Sequence, residues 1–423
     1  MVDDVSVKAV GGQWAVAACD ALTGPGFSDH PDYLFRPYLG PAHLNAVDQV
    51  AAWMGEAGMT TRIDGAGNLI GRYGANDQGL TRKTLIIGSH IDSVRDAGNY
   101  DGPLGVMLGV AVCAALHAAG RILPFAIEVY AFGDEEGSRF PAPMLCSRAV
   151  AGSLAPGALD VADAQGVGLA QALELNGLAM NRFLDARRDP ADLLGYIEAH
   201  IEQGPVLEAE GLALGVVTAI AAQIRYAAHV TGVAGHAGTN AMTLRRDALA
   251  GAAEMMLAIE RVAGAGSSDL VGTVGRIAAG PGAPNVVPGD VTFTIDLRAG
   301  TDEVLHPAEA AVVAGLTAIA HRRGLGLSLD KTHELPPSPC DPAFRAMLGR
   351  AVEAVGIPAR DIVSGAGHDA MIFSPIIPSA MLFIRCKDGI SHNPAESVLP
   401  ADTDLARDAL LAFLDILSED YDG

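Results

Sequence analysis

The chain has 423 residues, of which half are hydrophobic and 18% charged, and its formal net charge is −22. That length implies two compact units, and that apolar content excludes a disordered chain. The acidity argues against nucleic acid or an anionic membrane as partner, since both repel a negative surface, although a local Arg or metal can still dominate one pocket.

The first residues, Met1 to Val5, are acidic and lack the basic and apolar regions of a secretion leader. Residues 44–58 carry helical periodicity, and a short strand pair is expected around Thr61–Ile63 and Asn68–Tyr73. Thr84–Ile87 is a short apolar run that leads into Gly-Ser-His-Ile-Asp. An apolar helix then begins near Pro103, a residue suited to a first helical turn. Its most apolar stretch, Val106–Gly120, is short and carries His117, so it reads as a buried helix rather than a membrane span. Phe125–Phe132 is a further buried strand, followed by Gly-Asp-Glu-Glu-Gly. Strands alternating with helices predict an α/β fold with a mixed, mostly parallel sheet flanked by helices. Chemistry in such sheets gathers beyond the carboxyl ends of the strands.

A different rhythm runs through 214–331. Strands are expected at 214–220, 223–231, 270–279, 287–298 and 325–332, with helices at 243–263 and 303–323. This is a split β-α-β pattern, an inserted α+β domain of ferredoxin-like type. Residues 1–213 and 332–423 would then form the main domain. The five cysteines (Cys19, Cys113, Cys146, Cys340 and Cys386) are scattered and make no CxxC pair, which predicts free thiols in a reducing, cytoplasmic compartment.

His90 and Asp92 stand two apart at a strand end, so their side chains share one side. Asp101 lies in Gly-Asn-Tyr-Asp-Gly, Asp134-Glu135-Glu136 follows the next strand, and His200 and His392 lie in His-Ile-Glu-Gln-Gly-Pro and Ser-His-Asn-Pro-Ala-Glu. Singly, each has an ordinary structural explanation. Together, buried carboxylates and imidazoles beside an apolar helix are costly unless a cation pairs with them. An all-nitrogen and oxygen donor set suits catalytic Zn²⁺, Mn²⁺, Co²⁺ or Ni²⁺. Two metals bridged by one carboxylate lie about 3.5–4 Å apart and bring a bound water's pKa towards about 7. Glu135 and Glu136 offer one ligand and one general base, on the expectation that neighbours at a strand end face opposite ways.

The ordered motifs Gly-Ser-His-Ile-Asp-Ser (88–93), Gly-Asp-Glu-Glu-Gly-Ser-Arg-Phe (133–140), His-Ile-Glu-Gln-Gly-Pro (200–205), Gly-His-Ala-Gly-Thr (235–239), Ser-Gly-Ala-Gly-His-Asp-Ala (364–370) and His-Asn-Pro-Ala-Glu (392–396) resemble the hydantoinase/carbamoylase amidases. The resemblance implies one metal on His90, Asp101 and His200 and a second on Asp101, Glu136 and His392. Glu135 would be the general base, with Asp92 orienting His90. It also implies that the insert is a lid and dimerisation domain whose His236, Asn285 and Arg298 contact substrate, with Gln203 holding the ureido group. The expected activity is metal-dependent hydrolysis of a non-peptide C–N bond in an N-carbamoyl-L-amino acid or related ureido acid. Allantoate is an alternative substrate, because the run Ile384-Arg385-Cys386-Lys387-Asp388 is similar to the allantoate-hydrolysing branch. N-acyl amino acid or dipeptide hydrolysis on the same scaffold is a further one. A homodimer is implied, with no nucleic-acid or membrane partner.

Overall fold

A computed structural model describes residues 11–74, 83–267 and 269–421; the N-terminal residues inspected for a leader lie outside the described residues. The principal strands, in chain order, are β1 (Thr60–Ile63), β2 (Leu69–Tyr73), β3 (Thr84–His90), β4 (Ala126–Phe132), β5 (Leu193–Ile201), β6 (Leu214–Ile220), β7 (Ala222–Thr231), β8 (Val271–Thr273), β9 (Ile277–Gly280), β10 (Asp290–Ala299), β11 (Gly326–Leu335) and β12 (Ser379–Ile384). The longer helices are α1 (Gly12–Ala21), α2 (Pro41–Glu56), α3 (Pro103–Ala118), α4 (Ala248–Ala265), α5 (Asp302–Arg323), α6 (Pro342–Ala354) and α7 (Pro400–Glu419).

The chain folds into two compact units. One comprises the described residues through Thr218 with Cys340–Ile362 and those from His368 on; the other comprises Ala219–Pro339 with Val363–Gly367. In the first unit the sheet order is β1-β2-β4-β3-β5-β12-β6. Its centre, β4-β3-β5-β12, is parallel, while β1, β2 and β6 join antiparallel. Strands β3, β4 and β12 are buried along their whole length, as a parallel sheet covered on both faces requires. Helix α3 is buried almost all round and packs on β3, β4 and β5, so the apolar stretch containing Val106 is a core helix. Each ligand-bearing segment lies at or just beyond the carboxyl end of one of the four parallel strands; His90 and His200 are still in the ladder, opposite Phe132 and Phe383.

The second unit is a βαββαβ layer. Its antiparallel sheet runs β9-β10-β7-β11, with β8 also against β10, and α4 and α5 cover one face. Ile224, Val230, Val291, Phe293, Ile295 and Leu297 form its core with Met255, Ile259, Val312 and Leu316. Strand β10 alternates exposed and buried residues along most of its length, the signature of a sheet packed on one side only. Three expectations shift. The strand at 214–220, expected to open the insert, instead pairs with β12 in the sheet of the first unit. Helix α4 begins at Ala248 rather than 243, because the Asp247 side chain accepts from the Ala250 amide and caps it there. The strand expected over 270–279 is two short pieces, β8 and β9, separated at Val274–Arg276.

Candidate metal centre

Strand β3 ends on His90, and its imidazole Nδ1 stands 3.4 Å from Asp92 Oδ1 and 3.2 Å from the Asp92 carbonyl. The far nitrogen, Nε2, therefore points away, 3.7 Å from Asp101 Oδ1. From β5, His200 sets Nδ1 2.9 Å from the Ile201 carbonyl and Nε2 3.1 Å from the same Asp101 oxygen. His392, in a left-handed conformation with φ 52°, brings Nε2 within 3.2 Å of Asp101 Oδ2 and 3.4 Å of Glu136 Oε1. Three imidazoles from three segments thus converge on the two oxygens of one carboxylate. Two overlapping groups, His90/Asp101/His200 and Asp101/Glu136/His392, each place their donor atoms within 4.8 Å of one another.

Asp92 does more than face His90. Its Oδ1 accepts from the Glu135 amide at 3.1 Å and its Oδ2 from the Glu136 amide at 3.2 Å. One buried carboxylate therefore fixes both an imidazole and the backbone carrying the two glutamates. The expectation that Glu135 and Glu136 face opposite ways does not hold. Strand β4 stops at Phe132 and residues 135–136 form a bend, so strand alternation no longer applies. Both glutamates stand with His90 in a third group of clustered donors.

The electrostatics are those of a crowded acidic cage. Burial alone would raise the Asp101 carboxyl, but His200, His392 and His90 hold it well below the usual carboxylate range. Burial disfavours a charged His90, yet Asp101 and Asp92 keep it well above its ordinary value. Asp101 and Glu136 push His392 up to about 10. Burial pushes Glu135 well above its usual range, against the pull of His90 and with the push of Glu136, Asp369 and Asp92.

Several neighbours were not singled out from sequence. Glu198, two residues before His200, is fully buried and accepts from Ser89 Oγ (3.1 Å), Tyr196 OH (3.0 Å) and the Ala370 amide (2.9 Å). It ties the ends of β3 and β5 to the segment bearing His368, whose ring meets His200 edge-on at 4.4 Å. Glu396 accepts from the Tyr100 and Asp101 amides at 2.7 and 3.1 Å, and burial pushes it up to about 7. Ser391 Oγ donates to Asp101 Oδ2, as does Gln203 Nε2 at 2.8 Å. The other end of Gln203, Oε1, is buried and accepts no hydrogen bond among the described residues.

The candidates from the insert lie in the second unit. His236 and Asn285 are side by side, since His236 pairs with Val286 and the Ala237 amide donates to the Asn285 carbonyl at 2.8 Å. Arg298 is not a free cation: its Nε and one Nη donate to Asp296 at 2.9 and 3.1 Å. Arg385, in the run noted above, is likewise held by Asp402 at 2.8 and 2.9 Å.

The donor set fits divalent metal ions. It is all imidazole and carboxylate, it is largely buried, and its space is kept open by glycine. At Gly102, whose φ is 87°, a Cβ would stand 2.4 Å from the His90 ring. The chain matches the model of peptidase family M20/M25/M40 over residues 86–415. It is 42% identical over 351 residues to an N-carbamoyl-L-amino acid amidohydrolase of Geobacillus stearothermophilus, covering 83% of this chain and 85% of that one. Over 426 residues it is 37% identical to the allantoate deiminase of Arabidopsis thaliana, covering 92% and 79%. Its fold superposes with a TM-score of 0.88 on an amidase of the hydantoinase/carbamoylase family from Burkholderia multivorans, at 33% identity and 96% and 98% coverage. By sequence and by fold, the chain belongs to the M20/M25/M40 peptidase family, in its hydantoinase/carbamoylase amidase branch.

Proposed function

We propose that this protein is a metal-dependent amidohydrolase that cleaves a non-peptide C–N bond of an N-carbamoyl-L-amino acid or related ureido acid, releasing ammonia and CO₂. The observation that carries the reading is the convergence of three imidazoles on the two oxygens of Asp101, beside a glutamate whose backbone Asp92 clamps. His90, Asp101 and His200 would hold one ion, and Asp101, Glu136 and His392 the other. Zn²⁺ is the proposed metal, with Mn²⁺, Co²⁺ and Ni²⁺ as alternatives. Bound there, the pair would acidify a water and polarise the ureido carbonyl.

The chain's own groups do the rest. Glu135 takes the proton of the attacking water and returns it to the departing nitrogen, leaving the amino acid and a carbamate that decays to ammonia and CO₂. Gln203 Oε1, buried and without a donor among the described residues, accepts from a ureido N–H. His236 donates to the oxyanion, with Asn285 beside it, and Arg298 grips the substrate carboxylate. The insert serves as lid and dimerisation domain, and the protein works as a cytoplasmic homodimer.

Allantoate is the second reading, favoured by the relative from Arabidopsis thaliana, which covers 92% of the chain. Metal-reconstituted protein offered N-carbamoyl-L-amino acids, N-carbamoyl-β-alanine, allantoate, N-acyl amino acids and dipeptides decides among these. Ammonia from ureido acids and none from peptides supports the proposal; release of free amino acids from dipeptides alone overturns it. In Glu135→Gln metal content should persist while turnover falls by about 10²–10⁴-fold. Unchanged turnover would remove Glu135 from the role of base.

A further inference from the structure

On β10, Asp296 lies directly opposite Arg225 of β7, and Arg298 lies opposite Gln223. Residues two apart on a strand share a face, so all four side chains stand together. Their strand neighbours Ile224, Ile295 and Leu297 point the other way, into the core under α4 and α5. The quartet therefore occupies the face of the sheet that the helices leave uncovered, and three of its members, Arg225, Asp296 and Arg298, border a cavity of about 650 Å³.

The pairing within it is dense. Asp296 Oδ1 accepts from Arg298 Nε at 2.9 Å and from Gln223 Nε2 at 3.2 Å. Asp296 Oδ2 accepts from an Arg298 Nη at 3.1 Å, from Arg225 Nε at 2.8 Å and from Gln223 Nε2 at 3.0 Å. A carboxylate offers about four lone-pair sites, so Asp296 is saturated. Burial would raise its carboxyl, but Arg298 and Arg225 hold it below the usual range. Gln223, one of the donors, is itself buried, which distinguishes this arrangement from a casual surface ion pair.

The guanidinium of Arg298 carries five N–H groups in a fixed plane. Asp296 engages two, and the Gly365 carbonyl engages a third. Among the described residues two remain without a partner, one on each terminal nitrogen, the number that a two-pronged contact with a second carboxylate requires. We propose that Asp296 is a positioning residue, which locks the Arg298 guanidinium plane so that its two remaining N–H groups meet the substrate's carboxylate. Gln223 and Arg225 act one step further back by holding Asp296. An arginine fixed in advance loses less freedom when substrate arrives, so the effect falls on binding rather than on the chemical step. This inference rests on the reading of Arg298 as the group that grips the carboxylate.

The experiment is steady-state kinetics of the metal-loaded enzyme with an N-carbamoyl-L-amino acid and with its carboxamide counterpart, for wild type, Asp296→Asn, Arg298→Ala and the double variant. Asp296→Asn should raise KM for the acid about tenfold, the scale of one charge-assisted hydrogen bond. It should leave kcat within about threefold of wild type and the amide kinetics unaltered. The double variant should be no worse than Arg298→Ala alone, because the two side chains act as one unit. Gln223→Met removes the one amide donor that contacts both Asp296 oxygens, without a charge change; it should raise KM in the same sense and supplies the test should Asp296→Asn fold poorly. A KM for the acid unchanged in Asp296→Asn and Gln223→Met, while Arg298→Ala raises it, overturns this inference alone. A KM indifferent to Arg298→Ala removes the carboxylate grip itself and this inference with it.

Discussion

Replacing Asp92 with Asn keeps the side chain's shape and removes one acceptor and the charge. Three contacts are affected: the Glu135 amide at 3.1 Å, the Glu136 amide at 3.2 Å and His90 Nδ1 at 3.4 Å. The new NH₂ group must face one of the two backbone amides, donor against donor. Losing a hydrogen bond to a charged group costs about 1.5–3 kcal/mol, and stranding a buried N–H costs on a similar scale. Counting these as one overlapping effect, the folded cage is weakened by about 3 kcal/mol. Loss of a group that orients a ligand typically lowers metal affinity or activity about 10–100-fold. Calorimetric titration of the metal-free protein with Zn²⁺, paired with ammonia release at saturating metal, measures both. A variant within about threefold of wild type in both would refute the role given to Asp92, since no other described side chain bonds both glutamate amides.

Gly102→Ala forces a Cβ to within 2.4 Å of the His90 ring at a φ of 87°. The strain is about 1–3 kcal/mol, and metal titration should show weakened binding with the ring displaced; wild-type affinity would contradict the cradle. Glu128 is buried among Arg62, Arg72 and Arg188. Burial opposes its charge, but Arg188 and Arg62 hold its carboxyl below the ordinary value of 4.5. A depressed folded pKa means that the stabilisation is present above the unfolded value and is lost as pH falls through the folded one. Glu128→Gln should therefore cost about 3 kcal/mol near neutrality, the low end for a buried pair because Arg62 is partly exposed. The difference in urea midpoint between variant and wild type should shrink as pH drops below 4.5. A difference constant from pH 7 to pH 3, on either side of that value, would show that packing rather than charge is responsible.

The parts of the site readable from sequence were those set by local geometry. The apolar runs Thr84–Ile87 and Phe125–Phe132 announce strands buried on both faces, and His90 and Asp92 meet as expected, although β3 ends at His90 and Asp92 lies just beyond it. What local pattern does not carry is pairing across long separations. Asp92 binds amides more than forty residues away, Glu198 joins three segments, and Gln203 and Ser391 meet on Asp101 across 188 residues. Glu396 stands inside a motif that had been noted for His392, yet its work is to hold the Tyr100 and Asp101 amides. Helix α1 gave little signal, because small residues (Gly12, Ala15, Ala18 and Cys19) share its buried side with only two larger apolar ones, Trp14 and Val16. Strand alternation misled at Glu135 and Glu136, since the strand had already ended at Phe132.

The most direct measurement is the number and position of metal ions in the reconstituted protein, by elemental analysis and anomalous diffraction at the metal edge. The account expects two ions per chain sharing Asp101, one bounded by His90 and His200 and the other by Glu136 and His392. One ion lost in His200→Ala, with the remaining ion still on His392, would be consistent with it. Ions bound elsewhere, or full loading after Asp101→Ala, would contradict it.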